Sequence, residues 1–506
     1  MWNKGYVSDT EYTYGYFPEL SSERVKFLAL INGKKVPNIG ACCELGFGQG
    51  VSLLVNSAID KAEWWGTDFN ASQAASVDNM SKAAGLSTKI FADDFDHFAN
   101  RNDIPDFDYI VIHGIWSWIP EDARRSIVNF INKKLKIGGL LYLSYNSNPG
   151  WSVFSPVQKL ILDYVKNELP AATLSTDAIL KGLDFSERLL SQNSVFAKVN
   201  PHAQVRISKL KEHSPIYLAH EYLNECSTPM FFSEVNSNLF GTGLSFLCSS
   251  DWENNVLDLI LDDEQQDFLN GIRSFPLREN AKDFLLNSFF RRDIWQRGNV
   301  SIDRFEQLNE FDKFKFIKLK NHSESELEVK SFRGKFSINN EKYLQILNCI
   351  EVGKMANGAY IRKKLNIDQS NIESFLKMIV VLLHSNLIEL CVLNQEKNNE
   401  IFKLNEVFRK SNNEAQKIQY LISPLTGQCY KVGRFNQILI EYYLKGNVSS
   451  KELTSRLYDH LASIGQSLQK EGKKITTDAE VKNLIEKMAD SFIQSEVPRL
   501  KALEIL

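Results

Sequence analysis

Between residues 38 and 150, short apolar runs alternate with segments of helical spacing, and this alternation constrains the fold more than any other feature of the chain. Asn38 to Leu45 is an apolar run ending in a glycine loop; Ala62 to Asp68, Thr88 to Phe91, Phe107 to His113 and Leu140 to Tyr145 read as four further strands. Gly50 to Ile59 and Ala71 to Ala84 have helical spacing, the second stopped by Gly85. Pro120 opens a third helix whose last turn holds Lys133, Lys134 and Lys136, and the Gly138-Gly139 pair ends it. Strands joined by helix-length segments need right-handed crossovers, so they form a parallel sheet covered on both faces. The expected class is a doubly wound α/β domain, with its ligand beyond the carboxyl ends of the strands.

The remaining chain is longer than one core can use, since 506 residues call for three or four packed units. Apolar residues make up 43% and charged residues 24%, which fits globular folding and excludes wholesale disorder. No apolar run approaches the roughly 20 residues of a membrane helix. The start, Met1 to Tyr14, has neither a basic leader nor an apolar signal core, so a cytoplasmic location is expected. Seven scattered cysteines form no framework pattern, and Cys42 and Cys43 read as plain core of the first strand. The eight histidines lack metal-ligand spacing, so no metal is expected. With 59 basic and 62 acidic residues the net charge is -3, which removes bulk attraction to nucleic acid.

The expected organisation is a cofactor-binding core over 1–150, a helical insertion over 151–214 and completion of the core sheet over 215–250. Within these, Val153 to Leu169 and Thr176 to Gln192 are amphipathic; Ser233 to Ser249 reads as a helix, a Gly-Thr-Gly turn and the strand Leu244 to Ser249, which rejoins the parallel sheet. A middle helical domain follows over 251–335, with Gln265 to Trp295 helical. In a winged-helix-like domain over 336–400, Lys342 to Leu390 gives three helices, the last ending in Leu387 to Val392. A C-terminal helical domain over 401–506 carries Arg434 to Lys445, Ser450 to Ser463 and Thr477 to Ser495. Asn321 to Glu328 and Asn394 to Asn399 are the linkers.

The strongest chemical signal is Glu44-Leu45-Gly46-Phe47-Gly48-Gln49-Gly50, between a buried strand and a helix, with Asp68 at the end of the next strand. Glycines let the backbone turn sharply and approach a ligand closely. A carboxylate at the second strand end accepts both hydroxyls of a ribose. The G-x-G-x-G spacing differs from the pyrophosphate fingerprint, and Glu44 would repel a pyrophosphate while attracting an ammonium or a sulfonium. Together these point to S-adenosylmethionine (AdoMet) rather than a nicotinamide dinucleotide.

Further candidates stand at the other strand ends. Phe69 follows Asp68. Asp93-Asp94-Phe95 either receives the adenine or caps a helix. His113 is placed to bond the methionine part, Trp118 to wall the acceptor, and Trp116 reads as core. In Ser144 to Trp151, Tyr145 or an asparagine orients a nucleophile, or the segment is only a turn. Trp118 and Tyr145 are thus the candidate catalytic residues. Tyr6, Tyr12, Tyr14, Tyr16 and Phe17 form either an aromatic lid over a sulfonium or a half-buried strand.

Gly15-Tyr16-Phe17-Pro18-Glu19-Leu20, the Glu44 to Gly50 loop, Ser144 to Trp151 and His220-Glu221-Tyr222-Leu223 together resemble the rickettsial protein-lysine methyltransferases, which modify surface proteins of the outer-membrane-protein-B type and carry a methyltransferase regulatory domain. The resemblance covers Tyr6 to Arg297. It implies a class I methyltransferase fold, AdoMet as cofactor, lysine side chains of a protein as acceptor, and a homodimer built through the helical additions. It also implies that Glu44, Gly46, Gly48, Asp68, Asp94 and His113 hold the cofactor and that Tyr14 lies near it. The expected function is methylation of a bacterial surface protein before export. Alternatives are a methyltransferase for a glycan or small metabolite, or a winged-helix regulator whose Arg362-Lys363-Lys364 run contacts nucleic acid.

Overall fold

A computed structural model describes residues 7, 9, 10, 12–298, 300–323, 327–392, 398–413, 415, 417–446, 449–470, 473–475 and 477–506. Tyr6 and the rest of 1–6, together with linker residues 324–326 and 394–397, lie outside the described residues.

The centre is a seven-stranded sheet of β1 (Ala41–Leu45), β2 (Glu63–Thr67), β3 (Lys89–Phe91), β4 (Phe107–Ile112), β5 (Leu135–Asn146), β6 (Leu244–Ser249) and β7 (Phe290–Arg297), in the order β3-β2-β1-β4-β5-β7-β6. The first five strands pair in parallel. β7 runs antiparallel to β5, and β6 antiparallel to β7. The order reverses between β1 and β4, which opens a crevice at their carboxyl ends.

Side-chain alternation divides the core between the two faces. Cys42 packs with α1 (Ser22–Ile31), α2 (Val51–Ile59) and α3 (Ala71–Ala84), while Cys43 packs on the other face with α4 (Phe95–Ala99) and α5 (Glu121–Lys134). α3 follows its sequence closely: Asn70 accepts from the backbone N–H of Ser72 and Gln73, and Gly85 ends it at φ 71°.

Three expectations change. The helical pattern from Gln265 to Trp295 stops at Leu286, and Phe290–Arg297 is instead the strand that separates β6 from β5. Its sequence hides this because Arg291 and Asp293 are charged yet buried. β6 therefore meets the sheet through an antiparallel neighbour. Likewise α5 ends at Lys134, and β5 begins at once and runs through Gly138-Gly139. Lys136 sits in that strand, 2.9 Å from Asp108.

The insertion consists of α6 (Ser155–Glu168), α7 (Ser175–Ser191), α8 (Val195–Val199), α9 (Pro201–Leu210) and α10 (Pro215–Tyr222), packed around Trp151, Phe154, Ile161, Leu183, Ile207 and Tyr222. Three helices, Glu341–Cys349, Gly358–Lys364 and Ile372–His384, accompany a small antiparallel sheet that includes Glu389–Leu390. Arg362 in that region donates to both carboxylate oxygens of Asp312, at 2.6 and 2.7 Å. The C-terminal helices do not stand apart: Leu404, Phe408, Leu439 and Ile485 share one core with Leu53, Val55 and Trp64.

β7 is tied to the sheet by buried charge. Arg291, 6% exposed, donates to Asp293 at 3.1 Å, Asp283 at 2.8 Å and Glu279 at 2.9 Å. Tyr145 donates to Asp293 at 2.8 Å, and burial still pushes the Asp293 carboxyl up to about 6. Removing the guanidinium leaves three carboxylates buried together. Arg291→Ala is therefore expected to lose about 3–5 kcal/mol in urea unfolding, and Arg304→Ala, which breaks an exposed pair with Glu373, less than about 1 kcal/mol.

Candidate active site

The crevice between β1 and β4 is a pocket lined by Tyr12, Phe17, Glu44, Gly46, Phe47, Gly48, Asp68, Phe69, Asp94, Phe95, His113 and Trp118, with Gln73, Gly114, Ile115 and Ile119. Its floor is the turn after β1. Gly46, Gly48 and Gly50 have φ of 71°, 56° and 64°. A Cβ on Gly46 would lie 2.9 Å from Ile115, and one on Gly50 2.6 Å from Val77, so neither position accepts a side chain.

Two carboxylates stand on this floor. Asp68 accepts from the N–H of Gly48 and of Asn70, each at 2.9 Å, one per oxygen, which leaves each oxygen a further lone pair for a ligand hydroxyl. Glu44 is 5% exposed, and its Oε2 has no hydrogen-bond partner among the described residues. Burial, reinforced by the Asp68 charge, pushes Glu44 up to about 8, and burial holds Asp68 at about 6. A ligand bearing an ammonium or sulfonium supplies the charge this floor lacks. The residues present fit AdoMet: an acidic floor, a backbone cradle, and Phe47, Phe69 and Phe95 for its apolar parts.

Asp94 reconciles the two readings made for it, since it caps α4 by accepting from His97 N–H at 2.9 Å and also lines the pocket. Asp93 turns outward, and Arg101 donates to it at 2.8 Å. His113 Nδ1 lies 3.0 Å from Tyr142 Oη and 3.2 Å from Ser144 Oγ; burial, with the Arg292 charge second, lowers its pKa to about 3, so the ring is neutral.

Tyr145 is not brought to the pocket. On β5 the even positions Tyr142 and Ser144 face His113, so strand alternation sends Tyr145 to the opposite core, where it bonds Asp293. Asn146 shares the parity of Ser144, and its Nδ2 is buried without a partner among the described residues.

The aromatic N-terminal segment crosses the crevice as an extended strap, but its rings divide. Tyr12 lies 3.6 Å from the Cβ position of Gly48, and Phe17 packs on His113 with centroids 4.1 Å apart. Tyr14 and Tyr16 instead pack toward the hairpin of Tyr420–Ile422 and Cys429–Lys431: Lys417 is 5.9 Å from the Tyr14 ring, and Tyr16 reaches Gln428 at 3.4 Å. Tyr12 therefore takes the place expected of Tyr14. At the other end Val7 N–H donates to Asn224 at 3.0 Å. Gln73 on α3 carried no signal in the sequence, because a helix-face glutamine reads as solvent-facing.

Three outcomes follow from this geometry. Below pH 8 Glu44 holds a proton that a bound cation must displace, so affinity for S-adenosylhomocysteine (AdoHcy), measured by calorimetry, is expected to rise between pH 6 and 8 by up to about tenfold per unit and then level off. Glu44→Gln should flatten that rise. By the same linkage the free protein loses stability as pH rises through about 8, because the unfolded chain releases this proton near 4.5. Tyr16→Ala, outside the pocket, should loosen the strap and weaken AdoHcy binding by about tenfold, or about 1.4 kcal/mol.

Comparison with known proteins adds four findings. The chain is 31% identical over 518 residues to the uncharacterized protein sll1526 of Synechocystis, covering 100% of this chain and 99% of that protein. It is 24% identical over 301 residues to the uncharacterized protein RP789 of Rickettsia prowazekii, which covers 57% of this chain and 51% of that one. In structure it matches PKMT2 from Rickettsia typhi in complex with AdoHcy, with a TM-score of 0.67, 16% identity, and coverage of 97% of this chain and 99% of that one. The family described as "Predicted methyltransferase regulatory domain" matches residues 214–297, which include α10, β6 and β7. The chain therefore belongs to the family of the Synechocystis protein, and its fold is that of PKMT2 of Rickettsia typhi, a class I methyltransferase fold in which residues 214–297 are similar to the methyltransferase regulatory domain.

Proposed function

We propose that this chain is an AdoMet-dependent protein-lysine N-methyltransferase acting on a bacterial surface protein before export. The observation that carries the cofactor is the partnerless, buried Glu44 beside Asp68 in a cradle closed to side chains. The acceptor side is supported by the aromatic wall of Tyr12 and Trp118, and by whole-chain likeness to a protein named PKMT2.

When bound, AdoMet supplies an electrophilic methyl group on a sulfonium. The chain's residues must then deliver a neutral amine. For a lysine with the ordinary pKa of about 10.4, neutrality at pH 7 costs about 4.6 kcal/mol. A half-buried aromatic wall beside a fixed cation reduces that cost, since desolvation and like charge both disfavour the ammonium. Trp118 and Tyr12 hold the side-chain methylenes and exclude water, and alignment of nitrogen with methyl contributes several kcal/mol more. His113, held neutral, adds no competing cation.

The insertion over 151–214 is proposed as the dimer and acceptor side, with the units over 251–335, 336–400 and 401–506 as its scaffold. No helix among the described residues is long and apolar enough to cross a membrane. Arg362 is engaged by Asp312, which favours a protein contact over nucleic acid for that region.

Labelled AdoMet incubated with a recombinant outer-membrane-protein-B fragment, followed by mass spectrometry, tests the reading. N-methyl-lysine is expected, and Trp118→Ala should lower kcat/KM by about 10- to 100-fold, or about 1.4–2.7 kcal/mol. Label found only on sugars or small molecules in a cell extract would sink it.

A further inference from the structure

Three arginines are buried among the described residues, and two of them meet carboxylates: Arg291 its cluster of three, and Arg409 the side chain of Glu441. Arg434, 6% exposed, is the exception and makes no ion pair among the described residues. Its guanidinium donates only to neutral oxygens, to Asn412 O at 2.6 Å, Asn413 O at 2.8 Å and the side-chain carbonyl of Gln466. Those bonds tie the end of the helix Asn398–Ser411 to the helix Arg434–Tyr443, yet they leave further N–H donors of the guanidinium unused and its charge unmatched. A buried cation without a counter-ion is costly, and burial accordingly lowers the Arg434 pKa.

Arg434 lines an open cleft of about 730 Å³, which shares no residue with the cofactor pocket and has the size of a small-molecule site. Lys487 stands exposed at its rim and makes no ion pair among the described residues, and no carboxylate among those residues lines the cleft. Gly433 to Asn436 form another part of the wall and begin the helix Arg434–Tyr443. Gly433 gives that helix no side-chain cap and its first turn holds no acidic residue, so the leading backbone N–H groups and the positive end of the dipole are left uncovered. Phe435 and Met488, both half-buried, add apolar surface to the same cleft.

We propose that this cleft binds a small phosphate-bearing molecule, its phosphate held by the Arg434 guanidinium, the helix N–H groups and the Lys487 ammonium, and its organic part resting against Phe435 and Met488. A guanidinium and the N–H groups of a helix start both form short, charge-assisted bonds to phosphate oxygens. Donors of several kinds around one cleft suit the many oxygens of a phosphate better than the pair on a carboxylate. The bound anion supplies the counter-charge that Arg434 lacks. The site also adjoins the hairpin on which the strap leans: Gln419 on the cleft wall precedes Tyr420, whose ring packs on Tyr16 at 5.9 Å.

Calorimetry and thermal unfolding of the full chain with inorganic phosphate, pyrophosphate and acetate, all at one ionic strength, test the assignment. Both phosphates are expected to give saturable heat and to raise the unfolding temperature, pyrophosphate the more strongly, and acetate to do neither. Arg434→Ala would remove bonds the fold uses, so the diagnostic variants are Lys487→Gln and Asn436→Asp. Lys487→Gln, at an exposed position, should weaken pyrophosphate binding about tenfold and leave AdoHcy affinity unchanged. Asn436→Asp places a carboxylate in the first turn of the helix, which favours the helix but repels a phosphate; the unfolding temperature should hold or rise while pyrophosphate affinity falls by about tenfold or more. Absence of saturable heat with either phosphate, an equal response to acetate, or wild-type affinity in both variants overturns the proposal. Pyrophosphate binding that AdoHcy abolishes by competition would place the anion in the cofactor crevice and overturn it too.

Discussion

Two carboxylates buried side by side without a cation are an unfavourable arrangement, and the architecture around the crevice is organised about that fact. Glu44 and Asp68 stand at the carboxyl ends of adjacent parallel strands, where the sheet order reverses. Asp68 is offset by two backbone N–H groups, but Glu44 has no partner among the described residues. A site left short of positive charge is selective for a ligand that brings it, which separates a sulfonium nucleoside from the phosphate-bearing nucleotides that related sheets bind.

The strap converts that open floor into an enclosed site and draws in distant parts of the chain. Its pocket-facing rings, Tyr12 and Phe17, flank Tyr14 and Tyr16, which lean on the region of the C-terminal hairpin, and Phe17 N–H is also held by Ser52 on α2 at 2.9 Å. The helical insertion anchors the opposite end through Asn224 and His220. The segments beyond residue 150 thus act on the site through the covering they hold in place. Shared packing of Phe408 and Leu439 with Leu53 gives the C-terminal helices a route to the cofactor loop.

Much of this was legible in the residues, and the failures are instructive. The Glu44 to Gly50 turn was readable because sterics at positive φ leave few alternatives to glycine. α3 was readable from Asn70 and Gly85, whose chemistry is local. β7 was missed because Arg291 and Asp293 look like a solvated helix face until Glu279, Asp283 and Tyr145 are seen around them. Tyr145 was misjudged for a related reason: proximity to the strand end was visible, but which face of the sheet it occupied was not. In the strap, spacing by two predicted one aromatic face, whereas Tyr12 turns to the pocket and both Tyr14 and Tyr16 turn to the C-terminal hairpin.

The amino-acid sequence by itself determined the alternating strand and helix order, the glycine turn, the two acidic strand ends and hence the kind of ligand, because each rests on short-range sterics or on charge carried within a few residues. Only the tertiary structure decided that an antiparallel strand from residue 290 onward would pair with β5, that Tyr12 rather than Tyr14 would face the cofactor loop, and that His220 would pack on Tyr12. Those outcomes join residues separated by about 200 positions at the widest, and pairing at that distance is set by which buried surfaces and charges satisfy one another, a property no local pattern records.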